Sequence, residues 1–206
     1  MIWRLRTGNI VSADGAENPG RSDRQGALVS TDLHGKYTEA SFRGQMCYSY
    51  CAARATSLPA TAMIGNIIWN PPGSGKVLAL CKWTAQIEVT SANTTGIALA
   101  YGAQAITPTT VTVANSYGST LLTAGASGNC IAKAYAIATL LVAPTVVMNL
   151  YHNTAAIAVT GVDIMQGDFE GLFIIPPGYV ACLSALGAAV AASGMTSTLT
   201  WEEIPE

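Results

Sequence analysis

The sequence predicts an all-β protein, a sandwich or barrel of short strands preceded by an extended N-terminal arm. Three observations carry this. Apolar and polar residues alternate with period two from Lys76 to Thr90, the pattern of a half-buried strand. Short apolar runs recur along residues 61–206, separated by Gly, Pro, Asn and Ser clusters with turn chemistry. Charge is divided unevenly: residues 1–54 hold 12 of the 22 charged side chains, and the rest of the chain is nearly uncharged.

Residues 1–60 read as the arm. Gly8, Gly15, Pro19, Gly20, Gly26, Gly35 and Gly44 break any period before a helix or strand is established. Asp14-Gly15 and Asn18-Pro19-Gly20 are turns, because Asx side chains bond the nearby backbone and Gly accepts positive φ. The apolar anchors Trp3, Leu28, Val29, Leu33, Tyr37, Phe42, Met46, Tyr48 and Tyr50 are too frequent for a solvated tail. The arm is therefore expected to order against the body or another subunit.

The body, residues 61–206, opens with a strand over Ile64–Trp69 and a turn at Asn70-Pro71-Pro72-Gly73-Ser74-Gly75. The long strand Lys76–Thr90 follows. Val77, Ala79, Cys81, Trp83, Ala85, Ile87 and Val89 are expected on one face, with Leu78 and Leu80 interrupting an otherwise polar second face. Further strands are expected at 97–101, 109–114, 131–137, 146–151, 171–175, 179–184 and 197–202, bounded by Pro108, Gly118, Gly125, Gly128, Pro144, Gly161, Pro176-Pro177-Gly178 and Gly194. Within Ala185–Ala192 helix propensity competes with close strand packing. No fixed-period repeat is present, which argues against a solenoid.

Composition excludes several classes. Charged residues are 11% of the 206, against about 25% in an ordinary soluble protein. A body so poor in charge is expected to be covered by other protein. Net charge is −2, and the basic residues of the arm are diluted by Asp14, Glu17, Asp23, Asp32 and Glu39, so no nucleic-acid partner is expected. The N-terminus lacks the apolar core of a signal peptide. Ala134–Met148 is short and broken by Pro144, and Tyr179–Met195 is mostly Ala, Ser and Gly, so no membrane span is expected. Cys47, Cys51, Cys81, Cys130 and Cys182 are odd in number and contain no CxxC pair. They are expected as buried free thiols made in a reducing cytoplasm, with no metal site.

No catalytic constellation emerges, and neither an enzyme nor a cofactor is expected. Gly73-Ser74-Gly75-Lys76 resembles the end of a phosphate-binding loop. However, Asn70 stands where the first glycine belongs, Val77 replaces the magnesium-binding hydroxyl, and a strand follows where a helix is required. A hairpin turn is expected instead. His34 and His152 lie in different segments without a nucleophile elbow. Asp163, Asp168 and Glu170 lack EF-hand spacing and are expected in a solvated turn.

The runs Asn70-Pro71-Pro72-Gly73-Ser74-Gly75-Lys76, Ile175-Pro176-Pro177-Gly178-Tyr179 and Thr200-Trp201-Glu202-Glu203-Ile204-Pro205 resemble jelly-roll virion proteins of tailed bacteriophages. Head decoration (cement) proteins and trimeric fibre or spike heads are the groups in question. Asp32-Leu33-His34-Gly35-Lys36-Tyr37-Thr38-Glu39, with Arg43-Gly44 after it, is similar to the segment preceding the jelly roll in such proteins. The resemblance implies an eight-stranded sandwich, a homotrimer and a structural role on the phage head surface. The expected partners are copies of itself and the major capsid protein. The arm residues expected to make the contact are Trp3, Arg4, Arg6, Arg21, Arg24, Leu33, Tyr37, Phe42 and Arg43. The competing expectation is a receptor-binding head at a tail fibre or spike, although no heptads or shaft repeats precede the body.

Overall fold

The computed structural model describes residues 36–55, 57–87, 96–122, 130–152, 164–186 and 194–206. A short helix, α1 (Thr38–Phe42), precedes β1 (Met46–Ala55), β2 (Ala62–Asn70), β3 (Lys76–Ile87), β4 (Gly96–Ala103), β5 (Thr109–Val113) and β6 (Ser116–Ser119). After them come β7 (Lys133–Thr139), β8 (Thr145–His152), β9 (Ile164–Asp168), β10 (Ile174–Ile175), β11 (Tyr179–Leu186) and β12 (Gly194–Pro205). Among the described residues these strands form two antiparallel six-stranded sheets packed as a sandwich.

The first sheet has the order β10-β3-β12-β1-β6, with β9 also paired to β3, and the second has the order β5-β7-β2-β11-β4-β8. Together the pairings trace one long ribbon. β1 lies against β12, β2 against β11, β3 against β9 and β10, and β4 against β8, all antiparallel. Along each arm of the ribbon successive positions alternate between sheets, so the ribbon is wound around the core as a jelly roll. One of its eight positions is split into β9 and β10. The strands β5, β6 and β7 are inserted between β4 and β8. Of these, β7 and β5 widen the second sheet beside β2, and β6 widens the first beside β1.

Strand β3 forms where the alternation predicts it, but its faces exchange partway. Thr200 pairs with Lys82 and Trp201 with Leu80, which leaves Cys81 as the extra residue of a bulge. Leu78 and Leu80 enter the core before it, and Trp83 and Ala85 after it. Over the described residues this corrects the expectation of one apolar face running from Val77 to Val89, of which Val89 lies outside the described residues; the two leucines on the polar face were the trace of the inversion. The neighbouring ribbon breaks at the same level. The Phe169 and Glu170 N–H groups both donate to the Cys81 carbonyl, at 2.7 and 3.2 Å. Glu170 and Gly171 then take φ of 51° and 83°, which carries the chain out of the sheet.

Leu78, Leu80, Trp83, Leu199 and Trp201 of the first sheet pack with Ile68, Ile97, Leu99, Ala181 and Leu183 of the second. The second sheet is also buried on its opposite face, where Met63, Ile67, Trp69, Ala100, Val180 and Cys182 form their own cluster. That is why β11 is an almost unbroken apolar run, without the alternation of a one-sided strand. Buried asparagines tie the sheets together. Asn66 accepts the Ser49 hydroxyl at 2.6 Å and donates to the Ser49 and Ser197 carbonyls. Asn70 donates to the Lys76 and Ile175 carbonyls.

Several expectations change. The compact unit holding both sheets runs Glu39–Glu206, so the boundary expected at residue 60 moves back: β1 lies between β12 and β6. Its alternation, with Cys47, Ser49 and Cys51 buried, is built from small side chains and lacks an apolar signature. The acidic stretch expected as a solvated turn is in part strand β9. The Gly73–Lys76 turn joins the two sheets and closes no hairpin. Cys47 and Cys130 form a disulfide across 83 residues, which corrects the expectation of five free thiols, while Cys51, Cys81 and Cys182 lie outside it and are buried. Spacing rules cannot detect such a pair, because winding the ribbon brings together residues far apart in sequence.

Candidate functional site

The strands of the second sheet carry one Lys, Arg, Asp or Glu among their described residues, Lys133 on β7. The ionic residues of the first sheet include Lys76, Lys82, Asp168, Glu202 and Glu203. The second sheet thus presents an uncharged flank, organised by Gln104 just beyond β4. Gln104 is buried. Its backbone N–H donates to the Gly178 carbonyl at 2.7 Å, and its carbonyl accepts the Trp69 indole N–H at 2.9 Å. Its Nε2 donates to the Ile106 carbonyl at 2.6 Å, and its Oε1 accepts the Leu141 N–H at 2.7 Å. These bonds fix the loops after β4 and β7 with Ile106, Leu141 and Val142 facing outward, at 56, 53 and 51% exposure.

From Val142 the chain passes through Pro144 into β8, the edge of this sheet. β8 has no Lys, Arg, Asp or Glu, and Val147 and Met148 on it are exposed. Edge strands usually carry charge to prevent pairing with other chains; β8 has two register shifts against β4 but no charge. Between β8 and β10, where the sandwich is open, lies a cleft of about 190 Å³. Leu80, Leu99, Tyr101, Phe173 and Ile175 line it, together with the exposed Val147 and Ile174. Tyr101 stacks on Tyr179 with ring centroids 5.1 Å apart. Burial first, and the neighbouring Tyr179 second, push the Tyr101 phenol above its ordinary range, so it stays neutral. Such a surface suits aliphatic contact.

A second, buried cluster lies at the other end of the charge scale. The Glu203 carboxylate is fully buried. Its Oε2 is 2.9 Å from Lys76 Nζ, and its Oε1 accepts the Ala132 N–H at 3.0 Å. The sulfurs of Cys47 and Cys130 stand beside it, and one ligand atom from each of the three residues falls within a mutual 4.8 Å.

Of the arm residues singled out from sequence, Trp3, Arg4, Arg6, Arg21, Arg24 and Leu33 lie outside the described residues, as do His34 and Asp163. Tyr37 is half-buried, with Lys36 Nζ 5.3 Å from its ring centroid. Phe42 ends α1 and is 76% exposed. Beside it Arg43 pairs with Glu39 at 2.7 Å, one helical turn back. Phe42 and Arg43 therefore share one exposed spot. Asp168 pairs with Lys82 at 3.3 Å on the surface. Sequence reasoning missed Gln104 and the Cys47–Cys130–Glu203 cluster. The only trace of Gln104 is a lone amide between apolar runs.

Among the described residues no helix is long and apolar enough to cross a membrane. No protein-family model matches the chain, and no curated protein matches it.

Proposed function

We propose that this chain is a structural virion protein, a jelly-roll subunit that trimerises with copies of itself and decorates a phage head, gripping the major capsid protein through its N-terminal arm. The observation that carries the reading is the uncharged flank of the second sheet. The buried Gln104 side chain bonds the Ile106 carbonyl and the Leu141 N–H in loops that leave Ile106, Leu141 and Val142 exposed to water, and the edge strand beside them lacks the charges that keep a monomer apart. Exposed aliphatic side chains on an ordered scaffold are stabilised when another surface covers them. A rotational oligomer covers every copy with one repeated contact. The exposed Phe42 and the Arg43–Glu39 pair, next to the arm, supply an apolar anchor and a polar rim for a capsid contact.

The test has two steps. Sedimentation equilibrium at micromolar concentration should give the mass of a trimer; a soluble monomer overturns the reading. Co-sedimentation with phage heads lacking this protein should then carry the full chain into the pellet, but not a chain deleted of residues 1–44, which removes Phe42 and the Arg43–Glu39 pair together with the arm. A trimer that ignores heads and binds host cells or glycans instead belongs at a tail fibre or spike.

A further inference from the structure

We propose that Cys47, Cys130 and Glu203 form a binding site for one thiophilic divalent cation, zinc above all, in the reduced chain, so that disulfide and metal centre are alternative states of one buried cluster. The three ligand atoms lie within 4.8 Å of one another. Two thiolates at about 2.3 Å and a carboxylate oxygen at about 2.0–2.2 Å from a shared ion fill three corners of a tetrahedron. The fourth is left for water.

What sets the cluster apart from a plain disulfide is the carboxylate. A disulfide is neutral and gains nothing from a fully buried Glu203 beside it. A metal centre needs an anionic oxygen held in place, and Glu203 is held from behind on both oxygens, by Lys76 Nζ at 2.9 Å and the Ala132 N–H at 3.0 Å. These are the contacts that orient a ligating carboxylate, and each oxygen keeps a second lone pair for the ion. Charge balances in both states. The disulfide with Glu203 and Lys76 sums to zero, and so does a dication with two thiolates, Glu203 and Lys76. Both states also close the same 83-residue separation, so either staples β1 to the segment entering β7.

The interconversion is thiol exchange followed by metal binding. Two equivalents of a small thiol reduce the Cys47–Cys130 bond, leaving two protein thiols and one small-molecule disulfide. The cation then replaces the two thiol protons, which pass to solvent, and forms two metal–sulfur bonds.

The experiment uses the full chain, reduced with a phosphine in the absence of oxygen, freed of reductant and titrated with Co²⁺ and then Zn²⁺. One Co²⁺ per chain should bind, with a sulfur-to-cobalt charge-transfer band that one equivalent of Zn²⁺ abolishes. The unreduced chain, which needs no mutation to serve as a control, should bind none at this site. Glu203→Gln should weaken binding about 10–100-fold, and Cys47→Ser with Cys130→Ser should remove the band. Circular dichroism establishes that each variant is folded. The proposal is overturned if the reduced wild type takes up no more Co²⁺ than the double serine variant, or if the unreduced chain binds equally well. A band unchanged in folded Glu203→Gln would remove the carboxylate from the ligand set and overturn the three-ligand site.

Discussion

Asn66 of β2 reaches across the sandwich to Ser49 of β1, its side-chain oxygen accepting the Ser49 hydroxyl at 2.6 Å in a fully buried setting. The same amide donates to the Ser49 and Ser197 carbonyls at 3.3 and 3.2 Å. One side chain thereby fixes the position of the second sheet relative to two strands of the first. Asn66→Leu would strand the hydroxyl and leave two carbonyls underbonded in the core. A loss of about 2–4 kcal/mol is expected, read as a lower urea midpoint at unchanged slope. Pairing it with Ser49→Ala should recover part of the loss, and an unchanged midpoint in Asn66→Leu would show that the tie carries no weight.

The Cys47–Cys130 bond should be a major source of stability. Closing a loop across 83 residues restricts the unfolded chain by about 4–5 kcal/mol on the chain-entropy estimate. Metal-free reduced protein should unfold at correspondingly lower urea, measured with chelator present. If the reduced and oxidised midpoints coincide, the bond does not close that loop.

Gly167 on β9 faces the indole of Trp83, and a Cβ built there would stand 2.5 Å from Trp83 Nε1. That ring belongs to the core and has little room to withdraw. Gly167→Ala should therefore cost about 1–3 kcal/mol through overpacking, with a change in tryptophan near-ultraviolet circular dichroism. An unperturbed spectrum at wild-type stability would refute the contact.

The uncharged flank can be tested by adding charge. Leu141→Lys with Val147→Lys changes two exposed positions and should leave the monomer folded. The sedimentation mass should fall from oligomer to monomer, with association weakened 100-fold or more, on the order of 3 kcal/mol for two desolvated charges. An oligomer of wild-type strength would place the contact elsewhere.

Burial pushes the Cys182 thiol up from 9.0 to about 12. Below pH 9 the folded and unfolded states both keep the proton, and the thiol makes no difference. Between pH 9 and about 12 the unfolded thiol ionises while the folded one stays neutral, so stability falls by about 1.4 kcal/mol per pH unit from this group. Cys182→Ala should accordingly show a shallower alkaline decline than the wild type in parallel urea titrations. Equal slopes would mean that the thiol ionises in place.

Much of the roll was legible because its strands announce themselves locally. β3 alternates, β3 and β11 follow Pro- and Gly-rich turns, β2 runs up to the first of these, and β4 and β8 are apolar runs of strand length. β1 was not legible. Its inward positions are Cys47, Ser49 and Cys51, and Ser49 is tolerable inside only because Asn66 meets it from the other sheet. β9 was hidden by its acidic end, Asp168, which is neutralised across the ladder by Lys82. The candidate surfaces were less legible still. The shortage of charge pointed to covered faces, but it did not distinguish faces covered by the chain's own fold, such as that of Ile67 and Val180, from those left open at Leu141 and Val147.

The sequence by itself determined that the body is built from short strands with a core of branched and small side chains, because period-two alternation and turn chemistry act over a few residues. It also determined that the body is poor in charge. The tertiary structure alone decided the jelly-roll winding, the inversion at Cys81, the partnership of Cys47 with Cys130 and the placing of Glu203 beside them. Each depends on residues tens of positions apart becoming neighbours when the ribbon folds on itself, and no local pattern encodes that distance.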